Sequence, residues 1–265
     1  MKKLSYLLLL LLPSISQAYQ SEVYGGYADF DLDLNSSVTT YGVGYKYYLN
    51  DLSYGGKPFK EEAFLTSTSS AEVLLTQSDY SVSGLTADGT IFGVDAIIYS
   101  GVLAVNVSYL SGTVSSNFGS DTDSTSLSLQ PGFKPDVSSL IYAVINYETE
   151  DDVDSETYGI GYKIIVDNKI NLQLEFTATI EEEVFGDVKT NQSRGLIEYY
   201  LSNTNFIGVE FILYGGSGSE SDSATGISVG GLQNKNIRYE LSYIVENTDG
   251  GSDSNAFIAE LGYKF

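Results

Sequence analysis

The chain has 265 residues, of which 35 are acidic and 13 are basic, so its formal net charge is −22 at neutral pH. This balance argues against nucleic acid as a partner, because binding to phosphates requires clustered Lys and Arg. The absence of Cys and His excludes disulfides and thiolate chemistry, and it removes the commonest general base and transition-metal ligand. We therefore expect that the protein is not an enzyme and that it holds no cofactor or metal.

The N-terminus has the pattern of a secretory signal peptide. Lys2 and Lys3 form a charged start, residues 6–12 are apolar, and Ser16 and Ala18 supply the small residues of a cleavage site. No later segment reaches the roughly 18 consecutive apolar residues that a membrane-spanning helix needs. We predict that residues 1–18 are removed on export and that residues 19–265 form a single domain.

Apolar and polar residues alternate along the mature chain with the period of two that is typical of strands. In Ile170–Glu181 every even-numbered residue is apolar and every odd-numbered residue is polar or charged. Such runs predict an all-β fold, an antiparallel transmembrane β-barrel of about fourteen strands. The predicted strands are 21–32, 37–49, 69–83, 90–99, 102–114, 123–133, 139–149, 156–166, 169–181, 192–201, 206–215, 225–232, 237–246 and 255–265.

Two features leave a count of twelve or sixteen strands open. The third predicted strand is the weakest, because Glu72 and Ser78 interrupt its apolar face. The connection of residues 50–68 is long, and folding inward as a plug at the periplasmic side is an alternative to its lying outside the barrel. The sequence does not decide between these arrangements.

The predicted connections are of two kinds, as in outer-membrane barrels, where periplasmic turns are short and extracellular loops are long. The short connections are 100–101, 134–138, 167–168, 202–205 and 233–236. The longer, acidic connections include 148–156, 181–189, 215–224 and 246–255. A soluble β-sandwich would also show alternation, but it has no reason to segregate its connections by length.

The last predicted strand carries a second indication of the same fold. Phe257, Ala259, Leu261, Tyr263 and the terminal Phe265 lie on one face of it. A C-terminal strand that ends in this way resembles the signal by which the barrel assembly machinery recognises outer-membrane barrels. We predict that Tyr263 and Phe265 form this signal, and that the aromatic rings lie near the periplasmic interface.

Two stretches resemble a porin family of gammaproteobacterial outer membranes. In that family a Tyr-rich strand, here residues 45–49, runs into a periplasmic segment with Pro and an acidic-Ala-Phe-Leu string, here residues 57–65. Glu62 stands where the family usually has Ala. The resemblance implies location in the outer membrane and channel activity, and it brings no catalytic or ligand residues.

One string recurs inside the chain, as Tyr-Gly-Val-Gly-Tyr-Lys at 41–46 and as Tyr-Gly-Ile-Gly-Tyr-Lys at 158–163. Both copies lie on strands that run toward the periplasmic side. Alternation places the Tyr residues on the outer face, and it places Gly and Lys on the lumenal face, where Gly leaves room for water or a neighbouring side chain.

The lumen of a fourteen-stranded barrel is expected to be narrow and filled with water. Acidic residues outnumber basic ones among the side chains that alternation assigns to it, so we predict diffusion of small hydrophilic solutes with a preference for cations. The predicted lumen-lining residues are Asp29, Asp31, Lys46, Asp95, Lys163, Glu175, Arg194, Glu198, Glu210, Arg238 and Glu240, with Glu148, Glu181, Glu260 and Lys264 as further charged candidates.

The alternative is a closed or plugged barrel that serves as a surface receptor, adhesin or structural protein through its acidic loops. The expected partners are outer-membrane lipid and lipopolysaccharide, whose phosphates the acidic clusters at 150–152 and 181–183 are hypothesised to reach through divalent ions. The sequence does not indicate which solute passes, the oligomeric state, or whether the pore is open.

Overall fold

The computed structural model describes residues 18–32, 36–53, 56–82, 85–116, 121–151, 153–181, 188–216, 222–247 and 254–265. The predicted signal peptide therefore lies outside the described residues except for Ala18, which begins the first strand. The clusters at 150–152 and 181–183 are described only in part.

The described residues form fourteen strands and one short helix. In chain order they are β1 (Ala18–Leu32), β2 (Ser36–Ser53), α1 (Glu62–Thr66), β3 (Ser70–Val82), β4 (Leu85–Ser100), β5 (Leu103–Ser116), β6 (Thr122–Phe133), β7 (Ser139–Glu150), β8 (Val153–Val166), β9 (Ile170–Glu181), β10 (Val188–Ser202), β11 (Asn205–Gly216), β12 (Ser223–Gln233), β13 (Ile237–Asn247) and β14 (Ser254–Lys264). No helix in the described part of the chain is long and apolar enough to cross a membrane.

The strands close into a single barrel in which each strand pairs with its neighbours in the sequence and β1 pairs with β14. All of these pairings are antiparallel, and the β1–β14 register runs from Glu22 opposite Lys264 to Asp31 opposite Asn255. Closure leaves no free sheet edge, which is a requirement for strands that cross a membrane. The prediction of a fourteen-stranded antiparallel barrel is confirmed, and the sandwich alternative is wrong.

The third strand is a full member of the wall. Val73 and Leu75 are exposed on the outer surface of β3, and Glu72 lies opposite Lys46 of β2, whose ammonium is 2.9 Å from its carboxylate. Glu72 and Ser78 share the even-numbered, inner face of β3 and do not interrupt its outward apolar face. The apparent weakness of this strand arose from assigning these two residues to the wrong face.

The outer surface of the barrel is apolar. Large side chains such as Leu75, Phe92, Leu127 and Phe176 are about half exposed, and they recur on almost every strand. A protein in water buries such residues or confines them to small patches. A continuous exposed apolar band is the surface that the hydrocarbon of a bilayer covers.

The start of β1 and the end of β14 lie at one end of the barrel, which we call the terminal end; the opposite end is the loop end. Ser21 and Phe265 exchange backbone hydrogen bonds of 3.1 and 2.9 Å there. The short turns that follow β4, β6, β8, β10 and β12 are at the same end. Residues 167–169 form the turn between β8 and β9, and in it Asp167 and Asn168 have φ values of 52° and 53°, the left-handed pair that is typical of a tight hairpin turn.

Residues 56–69, which include α1, fold into the barrel at the terminal end, and we call them the inner segment. Phe59 packs on inner-face residues of β10, β11 and β12, and Phe64 and Leu65 pack on Ile165 of β8. The backbone nitrogen of Phe59 donates to the carbonyl of Asn203 in the turn after β10, at 3.0 Å. Of the two arrangements that the sequence left open for this connection, the plug is the observed one.

Candidate functional site

Apolar contacts hold the inner segment against the wall. Phe59 forms a buried cluster with Tyr200, Phe206 and Leu232, and its ring centroid is 6.2 Å from that of Phe206. Pro58, which precedes it, is also fully buried. Burial of a large aromatic side chain stabilises a packed arrangement by roughly 1.5–3 kcal/mol, so these residues dock the segment independently of its charges.

Lys60 links the segment to two separate strands. Its ammonium lies 2.7 Å from a carboxylate oxygen of Glu198 on β10 and 3.0 Å from one of Glu240 on β13. It also lies 4.5 Å from the centre of the Phe206 ring. Burial by itself would lower the pKa of the Lys60 ammonium, but the carboxylates of Glu198 and Glu240 outweigh this effect and raise the pKa. Lys60 is therefore a cation at every physiological pH.

Glu61 points to another part of the wall. Its carboxylate is 2.6 Å from the ammonium of Lys163, and it accepts hydrogen bonds from Asn171 at 3.1 Å and from Tyr200 at 3.3 Å. Asn171 also donates to Glu198 at 2.7 Å. One connected polar network thus joins Lys60 and Glu61 to β8, β9, β10 and β13. Buried ionic groups are tolerated only when they are paired and hydrogen-bonded in this way.

Lys134, in the turn after β6, holds the other end of the segment. Its ammonium donates to the carbonyl of Phe64 at 2.5 Å and to the hydroxyl of Ser67 at 3.0 Å, and it lies 4.1 Å from the centre of the Phe64 ring. Burial, with a smaller contribution from the positive charge of Lys163, lowers the pKa of Lys134 to about 8. This lysine closes the last turn of α1.

A second group of charges lies where β13, β14 and β1 meet. Arg238 contacts Glu22, with 2.5 Å between Nε and the carboxylate oxygen, and it also contacts Glu260. Lys264 lies 3.8 Å from Glu22. Glu22 and Lys264 are almost fully buried, so the seam between the first and last strands is closed by ion pairs on its inner side.

The repeated string forms the same structure twice. Tyr24 of β1 lies across Gly44 of β2, and its hydroxyl donates to Glu72 of β3. A Cβ added at Gly44 would be 2.1 Å from the Tyr24 ring, so only glycine allows this contact. The strand β2 therefore needs Gly at this position to admit the ring.

The second copy involves β7, β8 and β9. Tyr142 lies across Gly161, where an added Cβ would again be 2.1 Å from the ring. Its hydroxyl donates to Glu175 at 2.9 Å and accepts from Gln173 at 2.9 Å. The following lysines differ in their partners, since Lys46 pairs with Glu72 and Lys163 pairs with Glu61 of the inner segment.

Free space remains above the inner segment, and we call it the chamber. It consists of three adjoining cavities of about 400, 330 and 170 Å³. Lys60 lines all three, so its side chain stands near the middle of the floor. The chamber walls carry charged groups, tyrosines and amides, among them Arg194, Tyr99, Gln130 and Gln173.

Most of the predicted lumen-lining residues are on the inner face of the wall. Lys163, Glu198 and Glu240 contact the inner segment directly, and Arg194 pairs with Glu210 above it. The inner face carries Lys46, Asp95, Lys163, Glu175, Arg194, Glu198, Glu210, Arg238 and Glu240, and also Glu148, Glu181, Glu260 and Lys264. Their part in solute passage stays a prediction.

The prediction that Asp29 and Asp31 line the lumen is wrong. Tyr24 and Glu22 face the lumen through their contacts with Glu72 and Arg238, and β1 has no register shift beyond Ser21. The odd-numbered Asp29 and Asp31 therefore lie on the outer face, where Thr39 donates to Asp29 at 3.1 Å. They are near the loop end of β1, where the outer face of a barrel rises out of the hydrocarbon and can carry charge.

Several residues of the site were not predicted from the sequence, among them Glu22, Tyr24, Lys60, Glu61 and Glu72. In β1 the alternation of inner-face and outer-face residues cannot be followed through Gly25 and Gly26, because glycine has no side chain that indicates a face. A signal for the inner segment was present in residues 57–65, where aromatic and charged residues are mixed without alternation. Such a composition does not suit an exposed connection, but it does not reveal which strands the segment contacts.

Charge is distributed unevenly between the two ends of the barrel. In the described ranges the basic residues of the strands lie in the terminal half or near mid-height, with Lys189 alone at the loop end. The loop-end halves of the strands carry Asp29, Asp31, Asp79, Asp88, Asp123, Glu148, Asp154, Glu156, Glu181 and Glu246. Of these, Glu148, Glu181 and Glu246 are on the inner face, so a solute that enters from the loop end meets their carboxylates before it meets ammonium or guanidinium groups. Within the described residues, no three acidic residues come close enough together to hold a metal ion.

No protein-family model and no curated protein matches the chain. Solved structures do match it. The outer membrane protein Omp33 of Acinetobacter baumannii is 16% identical, with a TM-score of 0.61, and the match covers 95% of this chain and 100% of that one. The chain has the fold of an outer-membrane β-barrel.

Two further structures agree with this fold. An outer membrane channel from Pseudomonas putida F1 is 10% identical, with a TM-score of 0.55, and the match covers 96% of this chain and 97% of the channel. The NanC porin is 9% identical, with a TM-score of 0.53, and the match covers 92% and 100% of the two chains. The porin-type barrel that the resemblance implied is thus confirmed as a fold.

Proposed function

We propose that the protein is a channel of the bacterial outer membrane through which small hydrophilic solutes diffuse, and that it has no enzymatic activity. The observation that carries this proposal is the chamber lined by charged side chains. A barrel that only had to be closed would fill this space with apolar side chains, because ionised groups are costly to keep out of water. Charged walls around open volume suit a path for water and ions.

A preference for cations is the second part of the proposal. Several wall acids are neutralised by a base, such as Glu72 by Lys46 and Glu210 by Arg194. Glu175 accepts a hydrogen bond from a tyrosine instead, and the inner-face acids Glu148, Glu181 and Glu246 lie above the bases of the described strands, apart from Lys189 on the outer face. The surplus of carboxylates concentrates cations at the loop-end mouth, and salt screens this effect over ~10 Å at 0.1 M.

The inner segment sets the width of the path. It occupies the lumen at the terminal end and leaves the chamber above it, so solutes pass between the segment and the wall. A constriction made by one docked segment restricts the size of solutes more than the barrel diameter does.

A closed barrel is the second candidate function, and the docked inner segment is the observation that favours it. If the buried clusters around Phe59 and Phe64 seal the terminal end, nothing passes. The acidic loops would then act as a surface receptor, adhesin or structural element. Lipid and lipopolysaccharide are partners of the barrel under either proposal.

The test is single-channel recording of the purified protein in a planar bilayer with a KCl gradient. Steady openings with a cation-sided reversal potential are expected. An anion-sided potential would overturn the cation preference and leave the channel. An inserted but silent protein would overturn the channel and favour the closed barrel.

Two charge-neutralising variants test whether the preference for cations arises from carboxylates in the lumen. Asp95→Asn and Glu175→Gln remove inner-face carboxylates, so we expect both to move the reversal potential toward zero. Asp29→Asn removes the same charge from the outer face and is the matched control, with little expected change. Equal shifts in all three variants would show that the net charge of the protein, and not its lumen, sets the preference.

Tyr263 and Phe265 are proposed as the assembly signal for the barrel assembly machinery. Tyr263 is exposed on the outer face, and its ring is stacked with that of Phe265 at a centroid distance of 6.2 Å. We expect Phe265→Ala to reduce the amount of folded barrel in the outer membrane while refolding in detergent stays normal. Reduced refolding in detergent as well would indicate a structural role instead.

A further inference from the structure

At Arg194 the wall of the chamber presents both signs of charge side by side, with the guanidinium exposed. Arg194 of β10 lies directly opposite Glu175 of β9 in the strand register, and its Nε contacts Glu210 of β11. The guanidinium is 44% exposed and Glu210 is 21% exposed, so the group is accessible to a solute. A guanidinium flanked by two carboxylates on neighbouring strands is thus open to the lumen.

The guanidinium has unused binding capacity. Arginine carries five N–H donors in a planar fork, and in the described part of the chain only Nε of Arg194 has a hydrogen-bond partner. The two terminal nitrogens are therefore available to a carboxylate, which arginine binds with two parallel hydrogen bonds. Glu210 uses one oxygen for Arg194, and Glu175 uses one for Tyr142, so each carboxylate keeps an acceptor for an ammonium group.

The surrounding cavity fits a small solute. Arg194 lines the cavities of about 400 and 170 Å³, and the larger volume is at the lower end of the ~300–1,000 Å³ that is usual for small-molecule sites. Gln130 and Gln173 line the same cavity and can hydrogen-bond to uncharged polar groups. The ammonium groups of Lys46 and Lys163 lie deeper, toward the floor.

The charge distribution along the axis gives a solute its orientation. Carboxylates predominate at the loop end, and the bases lie at mid-height and below. A zwitterion that enters from the loop end is therefore favoured with its carboxylate leading toward Arg194 and the lysines, and with its ammonium on the side of the acids. A simple anion is repelled at the mouth, and a simple cation meets the bases at the floor.

We propose that the lumen wall around Arg194 binds a small zwitterion, an α-amino acid or a short peptide. The carboxylate of the solute binds the terminal nitrogens of Arg194, and its ammonium group binds Glu175 and Glu210. This inference rests on the proposed channel function and names its solute class.

The experiment records single channels while a solute is added on the loop-end side. Glutamine is the zwitterionic probe, and a polyol of similar size, a monocarboxylate and a monoamine are the comparison probes. We expect glutamine to interrupt the current at a concentration roughly tenfold lower than any of the other three, because only a zwitterion satisfies both charge signs. Interruptions that depend on size alone would overturn the proposal.

Variants at Arg194 provide the second measurement. Arg194→Gln should weaken the glutamine effect roughly tenfold, and Arg194→Lys should restore part of it, because lysine keeps the charge but loses the fork. Lys189→Gln, at the loop end of the same strand, removes one positive charge on the outer face and should change nothing. An unchanged response in Arg194→Gln would overturn the assignment.

An inserted protein that passes no current would separate this inference from the proposed function. In that case the channel proposal fails, and calorimetry of glutamine with the purified barrel tests the site alone. Binding that Arg194→Gln abolishes would support a zwitterion site in a closed barrel. No binding to the wild-type protein would overturn the site as well.

Discussion

The two halves of the barrel are built differently. In the loop-end half the described strands are only a wall, held by the backbone ladder and by short contacts between neighbours, such as that of Thr113 with Asp123 at 2.7 Å. In the terminal half, side chains cross the lumen and meet the inner segment, so that Lys60 alone joins β10 to β13.

The difference separates two tasks that a channel has to combine. The terminal half contains the buried clusters and the connected ion pairs, so its charged residues contribute both to packing and to the chemistry of the path. In the loop-end half, charged residues face water and are free to set the electrostatic field without a structural role. Substitutions should therefore affect stability mainly in the terminal half and affect only the entry of solutes in the loop-end half.

Removing the inner segment should change the conductance, and this is the largest effect that we expect, because the terminal half would then be only a wall, like the loop-end half. Leu49 and Ser69 are already joined by a backbone hydrogen bond of 2.9 Å, so a short Gly-Ser linker can replace residues 56–66. We expect the single-channel conductance to rise roughly threefold or more, since the conducting cross-section then approaches that of the barrel. Unchanged conductance in a folded barrel would show that the segment is not the constriction.

Lys60→Met should have the next largest effect. It leaves Glu198, which is only 1% exposed, without its cationic partner. Breaking a buried pair costs about 3–5 kcal/mol, and we expect roughly 2–3 kcal/mol here because Lys60 is partly exposed. Thermal unfolding in detergent should show a lower midpoint, whereas Lys57→Met on the same segment should leave it close to that of the wild type. A similar midpoint in both variants would show that the ion pairs of Lys60 do not hold the inner segment in place.

Glycine substitutions compare the halves directly. Gly161→Ala places a Cβ against the Tyr142 ring, and overpacking of this kind costs about 1–3 kcal/mol. Gly215 of β11, near the loop end, has nothing within 4 Å of an added Cβ, so Gly215→Ala should be neutral. Chemical denaturation of the two variants measures the difference. Equal stabilities would contradict a tightly packed terminal half.

The effect of pH on the stability of the barrel should be the smallest of these. The pKa of Lys134 is lowered to about 8 in the folded barrel, whereas an unfolded lysine has a pKa of about 10.4. Between these values the unfolded state binds more protons, so the contribution of Lys134 to stability should increase as the pH rises from about 8 to about 10. Below pH 8 the lysine is protonated in both states and the cost of its burial is at its full value.

The measurement is the thermal midpoint at pH 7.5 and at pH 9.5, for the wild type and for Lys134→Met. Other groups titrate in this range, so the informative quantity is the change in the difference between the two proteins. The wild type should gain relative to the variant at the higher pH. A constant difference would show that Lys134 keeps an ordinary pKa.

Local patterns allowed the wall to be predicted from the sequence. Alternation is enforced residue by residue, because one face meets lipid and the other meets water, and this was enough to place all fourteen strands and the hairpin at Asp167 and Asn168. It failed on β1, where Gly25 and Gly26 carry no face information and Tyr24 uses an aromatic ring on the inner face. Strand ends were also misplaced, because loop-end residues such as those at 85–89 face water on both sides.

The site was less predictable, because its contacts join residues that are far apart in the sequence. Lys60 meets Glu198 and Glu240 only after the barrel has closed, and no periodicity links these positions. The sequence identified Arg194, Glu175 and Glu210 as inner-face residues, but not that they meet. That information requires the register of three strands, which follows from the turns and from the packing of the whole sheet.

The backbone hydrogen bonds between Ser21 and Phe265 join the first and last strands of the wall as closely as any two neighbouring strands are joined. A short peptide linking residues 265 and 21 would continue the sheet, and new ends could be cut at a tight hairpin such as the one after β8. Such a circularly permuted chain should refold in detergent to the same cylinder. Phe265 would no longer end this chain, so the proposed assembly signal can be tested in a cell separately from the architecture of the barrel.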